Sequence, residues 1–477
     1  MELCNDILNL IAHYLPLKDI IKMCNLKKNF MDLHLEHYVC DNYNESFIRK
    51  YANYLQKIVM TKKQKNTVNN NLLLDLKYLQ HISLTENNQI TDEGLRNLKG
   101  INFFEMRCGS CSDVPGEHDI HCQDTITDTG LKYFRGIHTL ELACNNCITD
   151  KGLEHLKGIH TLNLSNNNNI TDEGLKYLKG IHTLNLSINS NITDEGLKYL
   201  TGIHTLDIRE GFRITDEGLK YLKGIHTLNI CFNNNITDEG LKHLTGINTL
   251  YVGGYITDEG LKYLSGVHTL NLNHNNNNNI SDEGLKHLKG IHKLCMCGHH
   301  VTDKGLKYLK GIHTLRLYRN GNITDKGLKY LKGIHTLRLS GNNSITNGGL
   351  KHLKGIHTLY LDCNDKISDN GLKYLEGVQV LCFTGNKNIT DEELKHLKGI
   401  QSLYLIYDNI TDQGLKYLES IQNLCMEYNK NITDEGLKFL KNVKTIDLPK
   451  NNNITKKGLK YLKSVEFFNF GLSYSWL

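Results

Sequence analysis

A 22-residue unit, copied along most of the chain, constrains the fold more than any other feature of the sequence. The run ITDEGLKYLKGIHTLNL at 170–186 returns with its leading Ile or Val at 90, 126, 148, 170, 192, 214, 236, 256, 280, 301, 323, 345, 367, 389, 410, 432 and 454, seventeen copies in all. Spacing departs from 22 where turns change length, as with 20 before 256, 24 before 280 and 36 before 126. Each part of the unit has a physical assignment. Ile181, Leu184 and Leu186 alternate with polar residues, as a short half-buried strand requires. Asn189 suits the following turn, because its amide can serve backbone groups that the bend leaves unpaired. Ile192 re-enters the core, and Thr193 is placed to cap a helix. Asp194 and Glu195 fall at the positive end of that helix and Lys198 toward its negative end. Leu197 and Leu200 face inward, and Gly202 stops the helix.

A unit of one strand and one short helix cannot bury its apolar face alone, so the units must stack. The expected fold is an α/β solenoid with one parallel sheet lined by helices. The pattern resembles the leucine-rich-repeat family, in particular its I-T-D-x-G-L-x-x-L subclass, across residues 79–470. That subclass often has Cys at the turn position where this chain has Asn. The resemblance implies a horseshoe with a concave sheet and convex helices. A degenerate first strand is expected over Leu55, Ile58 and Met60, with a convex loop at 61–71. A last strand is expected near 465–470, and the tail to Leu477, with Trp476, is expected to cap the core, giving a C-terminal cap near 465–477.

Residues 1–50 do not follow the repeat, and the expected division is a small helical module at 1–50 followed by the solenoid at 51–477. Leu3, Ile7, Leu8, Ile11 and Leu15 have helical spacing, Pro16 breaks it, and Ile20 opens a second helix after Asp19. A further helical pattern runs from Asn44 to Leu55. Read from the residues alone, this is an N-terminal cap for the solenoid. The run from Leu3 to Phe30 also resembles an F-box, with Cys4 where the family usually has Pro and Asp6 where it has Glu. That resemblance implies that Leu3, Ile7, Leu8, Ile11, Leu15 and Ile20 bind a Skp-type adaptor, and through it a cullin ubiquitin ligase. With the Asn- and Lys-rich composition, the combination is similar to the F-box/leucine-rich-repeat proteins of amoeba-infecting giant DNA viruses; slime-mould proteins share that bias.

Composition narrows the function. A net charge of +5 over 477 residues gives no general reason to expect nucleic acid. No apolar run is long enough to span a membrane, and the start MELCND lacks the basic region of a secretory signal. The fourteen cysteines do not recur with the repeat, as a disulfide framework would. A reduced intracellular setting is expected, cytoplasm or nucleus, of the host cell if the protein is viral. No nucleophile–base pair or phosphate loop stands outside the repeated consensus, so neither enzyme nor cofactor is expected.

The strand positions pointing away from the core differ from copy to copy, whereas the helices barely vary. Arg316, Tyr318, Arg319, Arg338, Tyr360, Tyr404, Tyr407 and Tyr428 gather in adjacent copies. Tyr and Arg dominate interface energetics, so these eight are the candidate substrate-binding residues. A second candidate is the insertion at 107–125, where Cys108, Cys111, His118, His121 and Cys122 have a spacing that could hold zinc. A plain polar loop accounts for it more simply. The histidine after Gly-Ile in most copies, as in His160 and His182, reads as a solvated side chain carried along by duplication. The expected function is substrate recognition within a Skp–cullin–F-box ligase. The alternative is a stand-alone scaffold or decoy.

Overall fold

A computed structural model describes residues 45–52, 55–60, 67–107, 125–275, 280–362, 364–384, 388–406, 409–426, 429–448, 453–465 and 467–469. The F-box-like run, including Leu3, Ile7, Leu8, Ile11, Leu15 and Ile20, lies outside these residues, as do the tail from 470 to 477 and the zinc candidates Cys108, Cys111, His118, His121 and Cys122. The chain divides into two compact units, 1–235 and 236–477.

In unit 1, strands of three to five residues follow one another in parallel, from Lys57–Val59 to Thr227–Ile230. Equivalent leucines lie opposite one another, Leu162 by Leu184 and Leu184 by Leu206. The expected first strand is present, with Ile58 paired to Ile82. The long insertion leaves the register unchanged, because Phe104 still meets Leu140. In unit 2, parallel strands run from Thr249–Val252 to Phe467–Asn469, and the steps of 20 and 24 residues are likewise absorbed in turns, keeping Leu250, Leu270 and Leu294 in register.

The helices are shorter and tighter than a continuous α-helix over TDEGLKYL. Asp194–Leu197 is a single α-turn that runs into a 3₁₀ turn at Lys198–Leu200. The tighter winding brings Leu197 and Leu200, both at most 1% exposed, onto the same core. Thr193 caps the start by accepting from the Glu195 N–H at 3.2 Å, and Gly202 leaves the helix with φ +85°.

The acidic residues do more than face the helix dipole. Asp172 reaches into the next copy and accepts both the N–H and the hydroxyl of Thr193. The same bond pair joins Asp150 to Thr171 and Asp194 to Thr215 in unit 1, and Asp303 to Thr324 and Asp412 to Thr433 in unit 2. This explains the glycine of TDEG: a Cβ on Gly196 would stand 2.3 Å from the Asp172 Oδ1. The turn asparagines form a second link. Asn167 is fully buried; its amide donates to the Ile148 carbonyl at 3.1 Å, and its oxygen accepts from the Asn169 N–H at 2.9 Å. An amide fits because the buried turn needs a donor and an acceptor at one position.

Two expectations require correction. The segment expected as a convex loop at 61–71 ends in a helix, Asn70–Leu73, capped by the Asn69 side chain, which accepts from the Leu72 N–H at 2.9 Å. The scatter of the cysteines points to a reduced setting and no repeating disulfide framework, but Cys144 is disulfide-bonded. Upstream, the helix Glu45–Tyr51 packs Ile48 into the core, and Arg49 bridges Glu45 and Asp75.

Candidate ligand-binding face

The outward strand column has different work in the two units. In much of unit 1 it is filled by short amide or carboxylate side chains that bond back to their own backbone. The Asn163 oxygen accepts from the Ser165 N–H at 3.0 Å, Asn185 from Ser187 at 2.9 Å and Asp207 from Arg209 at 3.1 Å. Such bonds compete with the strand ladder and close it early, so these three strands are three residues long. The chain then turns through left-handed residues such as Asn166, Ile188 and Glu210, with φ of 55°, 60° and 61°.

In unit 2 Asn271 keeps this bond, accepting from the Asn273 N–H at 2.9 Å, but on the six strands that follow the capping residue is replaced and the strands are longer. Cys295, Arg316, Arg338, Tyr360, Cys382 and Tyr404 occupy the column on six successive strands, each five residues long. They stand in register, Arg316 opposite Arg338, Arg338 opposite Tyr360, and Cys382 opposite Tyr404. On these six strands the ladder runs two residues past the column position. Thus Tyr318 follows Arg316, and Asp362 follows Tyr360.

Arg338 is the most constrained member. Its guanidinium carbon lies 5.2 Å from the Tyr318 ring centre and 5.4 Å from that of Tyr360. It also donates to Asp362 at 3.2 Å, and its side chain is only 13% exposed. The other Asp362 oxygen accepts the Cys382 thiol at 3.6 Å. Burial pushes the Tyr318, Tyr360 and Tyr404 hydroxyls above their usual range, and neighbouring Cys295, Cys382 and Tyr360 respectively add to the effect. All three therefore remain hydrogen-bond donors at neutral pH. Arg319 follows at the end of its strand, exposed and in the left-handed region at φ 52°. Among the described residues, neither Arg316 nor Arg319 takes part in an ion pair.

The structure therefore brings Arg316, Tyr318, Arg338, Tyr360 and Tyr404 together on one strand face with Arg319 at its edge; Tyr407 and Tyr428 lie outside the described residues. Not every residue of the varied columns is open. Cys295, Cys382 and Ser187 are buried, at 6%, 1% and 2% exposure. Cys382 sits between the larger Tyr360 and Tyr404 on the flanking strands. Burial raises the Cys295 thiol above its usual range, which makes it a poor nucleophile. Among the described residues, no group of three or more His, Cys, Asp or Glu could hold a metal ion, and no helix is long and apolar enough to cross a membrane.

The histidines form an arrangement that sequence reasoning missed. In unit 1 the rings of His138, His160, His182, His204 and His226 stack with centres 4.4–4.5 Å apart, and a second stack runs from His268 to His357 in unit 2. Except at His292, which precedes Lys293, the ring Nδ1 lies beside the hydroxyl of the next residue, as His160 does at 3.1 Å from Thr161. The 22-residue period was the available signal, since it places equivalent residues one strand spacing apart, about 4.8 Å.

Stacked strand–helix units, buried leucine columns and one variable strand face define a leucine-rich-repeat solenoid. The leucine-rich-repeat family model matches residues 75–99, 137–157, 159–179, 181–200 and 225–244. Among solved structures, the chain is similar to the TLR13–ssRNA13 complex, with a TM-score of 0.51 and 16% identity over 92% of this chain and 66% of that one. It is also similar to an internalin of Listeria monocytogenes, at 0.42 and 26%, covering 74% and 91% of the two chains. A third is the Rad7–Elc1 complex of yeast, at 0.41 and 18%, covering 62% and 83%. No curated protein matches the sequence.

Proposed function

We propose that the protein recognises a protein target through the strand face of unit 2, as the substrate-recognition subunit of a Skp–cullin–F-box ubiquitin ligase. One observation carries the binding part of this reading. Where unit 1 spends its outward column on asparagines that serve its own backbone, unit 2 replaces them with Arg316, Arg338, Tyr360 and Tyr404, which leave the strands uncapped and present large planar groups outward. Such residues supply contact area with little entropy loss, the character of interface anchors. The ligase part rests on the F-box-like run of Leu3, Ile7, Leu8, Ile11, Leu15 and Ile20. In that role the protein performs no chemistry: it raises the concentration of a target near a conjugating enzyme.

A stand-alone scaffold or decoy is the second reading. It is favoured by the helix Glu45–Tyr51, which buries Ile48 and ties Arg49 to Asp75, as a cap on the first repeats does. Affinity purification from the native cell, with mass spectrometry, separates the two. Adaptor and cullin peptides that vanish with Ile7→Asp plus Leu8→Asp support the ligase. A folded protein that binds no Skp-type adaptor at micromolar concentration overturns it.

A further inference from the structure

We infer that the helix side of unit 2 carries a docking surface for the phosphodiester backbone of a nucleic-acid duplex. The surface spans four consecutive helix segments, 303–310, 325–332, 347–354 and 369–376, each packed on the next. In the copy before them, Glu283 pairs with Lys286 three residues on, at 3.0 Å. In these four copies the glutamate position reads Lys304, Lys326, Gly348 and Asn370. The following lysine is kept, as Lys307, Lys329, Lys351 and Lys373; all four are exposed, and among the described residues none of them takes part in an ion pair. A third exposed row, Lys310, Lys332 and Lys354, ends three of the segments. Charge is removed at another position in the same run: Asn347 replaces the aspartate of the inter-repeat link yet keeps its bonds to Ser368. The four segments thus hold nine lysines against four carboxylates, whereas the flanking segments 282–289 and 391–398 together hold four lysines against five carboxylates. Three of the four carboxylates, Asp303, Asp325 and Asp369, are half-buried and already accept from Thr324, Thr346 and Thr390. A whole-chain charge of +5 averages this patch away.

The chemistry of the patch selects its occupant. Lysine is depleted from the cores of protein interfaces, which rest on large apolar and aromatic anchors. Among the described residues, none of the exposed large hydrophobic side chains lies in these segments. Their tyrosines are half-buried and covered: the Lys307 ammonium lies 4.6 Å from the Tyr308 ring centre and that of Lys329 4.9 Å from Tyr330. A membrane surface fits less well for the same reason, because stable anchoring needs a second, apolar signal beside a basic patch. A single strand needs free aromatic rings for its unstacked bases. A duplex keeps its bases stacked inside and presents one phosphate charge per about 1.7 Å of its axis. Lysines repeated from copy to copy meet such a backbone as point charges, without reading bases, so the contact is independent of sequence.

The test titrates the full chain into a labelled, random-sequence DNA duplex and reads fluorescence anisotropy between about 50 and 200 mM salt. Binding should weaken steeply with salt, since each lysine–phosphate contact adds about 0.9 to the slope of log affinity against log salt. Lys307→Ala, Lys329→Ala and Lys351→Ala made together should lower that slope by about 2–3 and the low-salt affinity at least tenfold. Lys304→Glu with Lys326→Glu should weaken binding as much while the protein stays folded, because it restores the residue type that stands at Glu283. Arginines at 307, 329 and 351 should retain binding. Alanines at Lys198, Lys220 and Lys242, which pair with Glu195, Glu217 and Glu239, should leave the slope unchanged. No binding at about 50 mM salt, equal losses in the two alanine sets, or tighter binding of the matched single strand, of phosphatidylserine vesicles or of polyglutamate overturns the proposal. Duplex binding that is lost with Arg316→Ala plus Arg338→Ala but survives the lysine variants belongs to the strand face and overturns the helix-side site. The lysine variants leave the strand face intact, so failure here is distinguishable from failure of partner recognition there.

Discussion

The carboxylate of Asp172 accepts the backbone N–H of Thr193 at 2.9 Å and the Thr193 hydroxyl at 2.6 Å, so the helix start of one repeat is bonded to that of the next. Repeat proteins owe their cooperativity to such nearest-neighbour terms. At Asn347 the chain itself shows which feature matters. There an amide stands in for the carboxylate, accepting from the Ser368 N–H at 3.0 Å and donating to the Ser368 hydroxyl at 2.8 Å. Geometry is kept and charge is not required. Asp172→Asn should therefore cost under about 1 kcal/mol, whereas Asp172→Ala, which strands the Thr193 N–H, should cost about 2–3 kcal/mol. Urea denaturation of the two variants checks this, and equal losses would show that the bonds are not the link.

Gly196 and Gly180 should fail for different reasons. A Cβ on Gly196 meets the Asp172 oxygen at 2.3 Å and the Leu175 side chain at 3.0 Å. At Gly180 the space is open, but φ is +85°. Gly180→Ala should cost about 1 kcal/mol, the usual strain of a left-handed alanine. Gly196→Ala should cost about 2 kcal/mol or more, since it displaces the inter-repeat bonds. The Asp172→Ala/Gly196→Ala double variant should lose less than the sum of the singles, because both remove the same link. Additive losses in a double-mutant cycle would separate the two residues.

The histidine stacks set a pH dependence. Burial, then the neighbouring imidazoles, lower the titration of His160, His204 and His313 below the ordinary histidine value. The folded state therefore disfavours the protonated rings relative to the unfolded chain. The resulting stabilisation is fully present above about pH 6.5 and is lost as pH falls below it. The urea midpoint should fall between pH 7.5 and pH 5, and the fall should shrink when His160 and His204 are both changed to Gln. An unchanged pH slope in that variant would assign the effect elsewhere.

Much of this was legible in the sequence, because Leu184, Gly202 and Thr193 each do a local job that their residue type reveals. What was not legible crosses from one copy to the next. Asp172 looked like a helix-start acid because only its own repeat was considered; its partner is 21 residues away. Strand alternation places Asn163 and Asn185 outward but does not reveal that their side chains bond back to the backbone two residues on, where their strands end. Their variation against Arg316 and Arg338 thus marks a change in backbone as well as in surface chemistry, a distinction that a residue list cannot carry. Cys382 shows the same limit, since strand alternation puts it outward and its neighbours bury it.

The partner surface makes the last prediction, and the strand caps decide how it must be controlled. Arg316→Ala, Arg338→Ala and Tyr404→Ala made together should leave secondary structure intact, because none of the three side chains caps a strand and the leucines beneath them are unchanged. Central interface anchors are worth about 2 kcal/mol or more each, so the triple variant should lose its partner in a pull-down while retaining any adaptor bound at the other end of the sequence. Alanines at Asn163, Asn185 and Asn229 are an unsuitable control: each would remove a backbone bond, at about 1 kcal/mol apiece. Lys176, Lys198 and Lys220 are better, being exposed helix-side residues whose ion pairs with Glu173, Glu195 and Glu217 are screened by solvent and contribute little to stability. Their triple alanine variant should bind the partner normally. If the lysine variant loses the partner and the Arg/Tyr variant keeps it, recognition belongs to the helix side and the strand face is not the site.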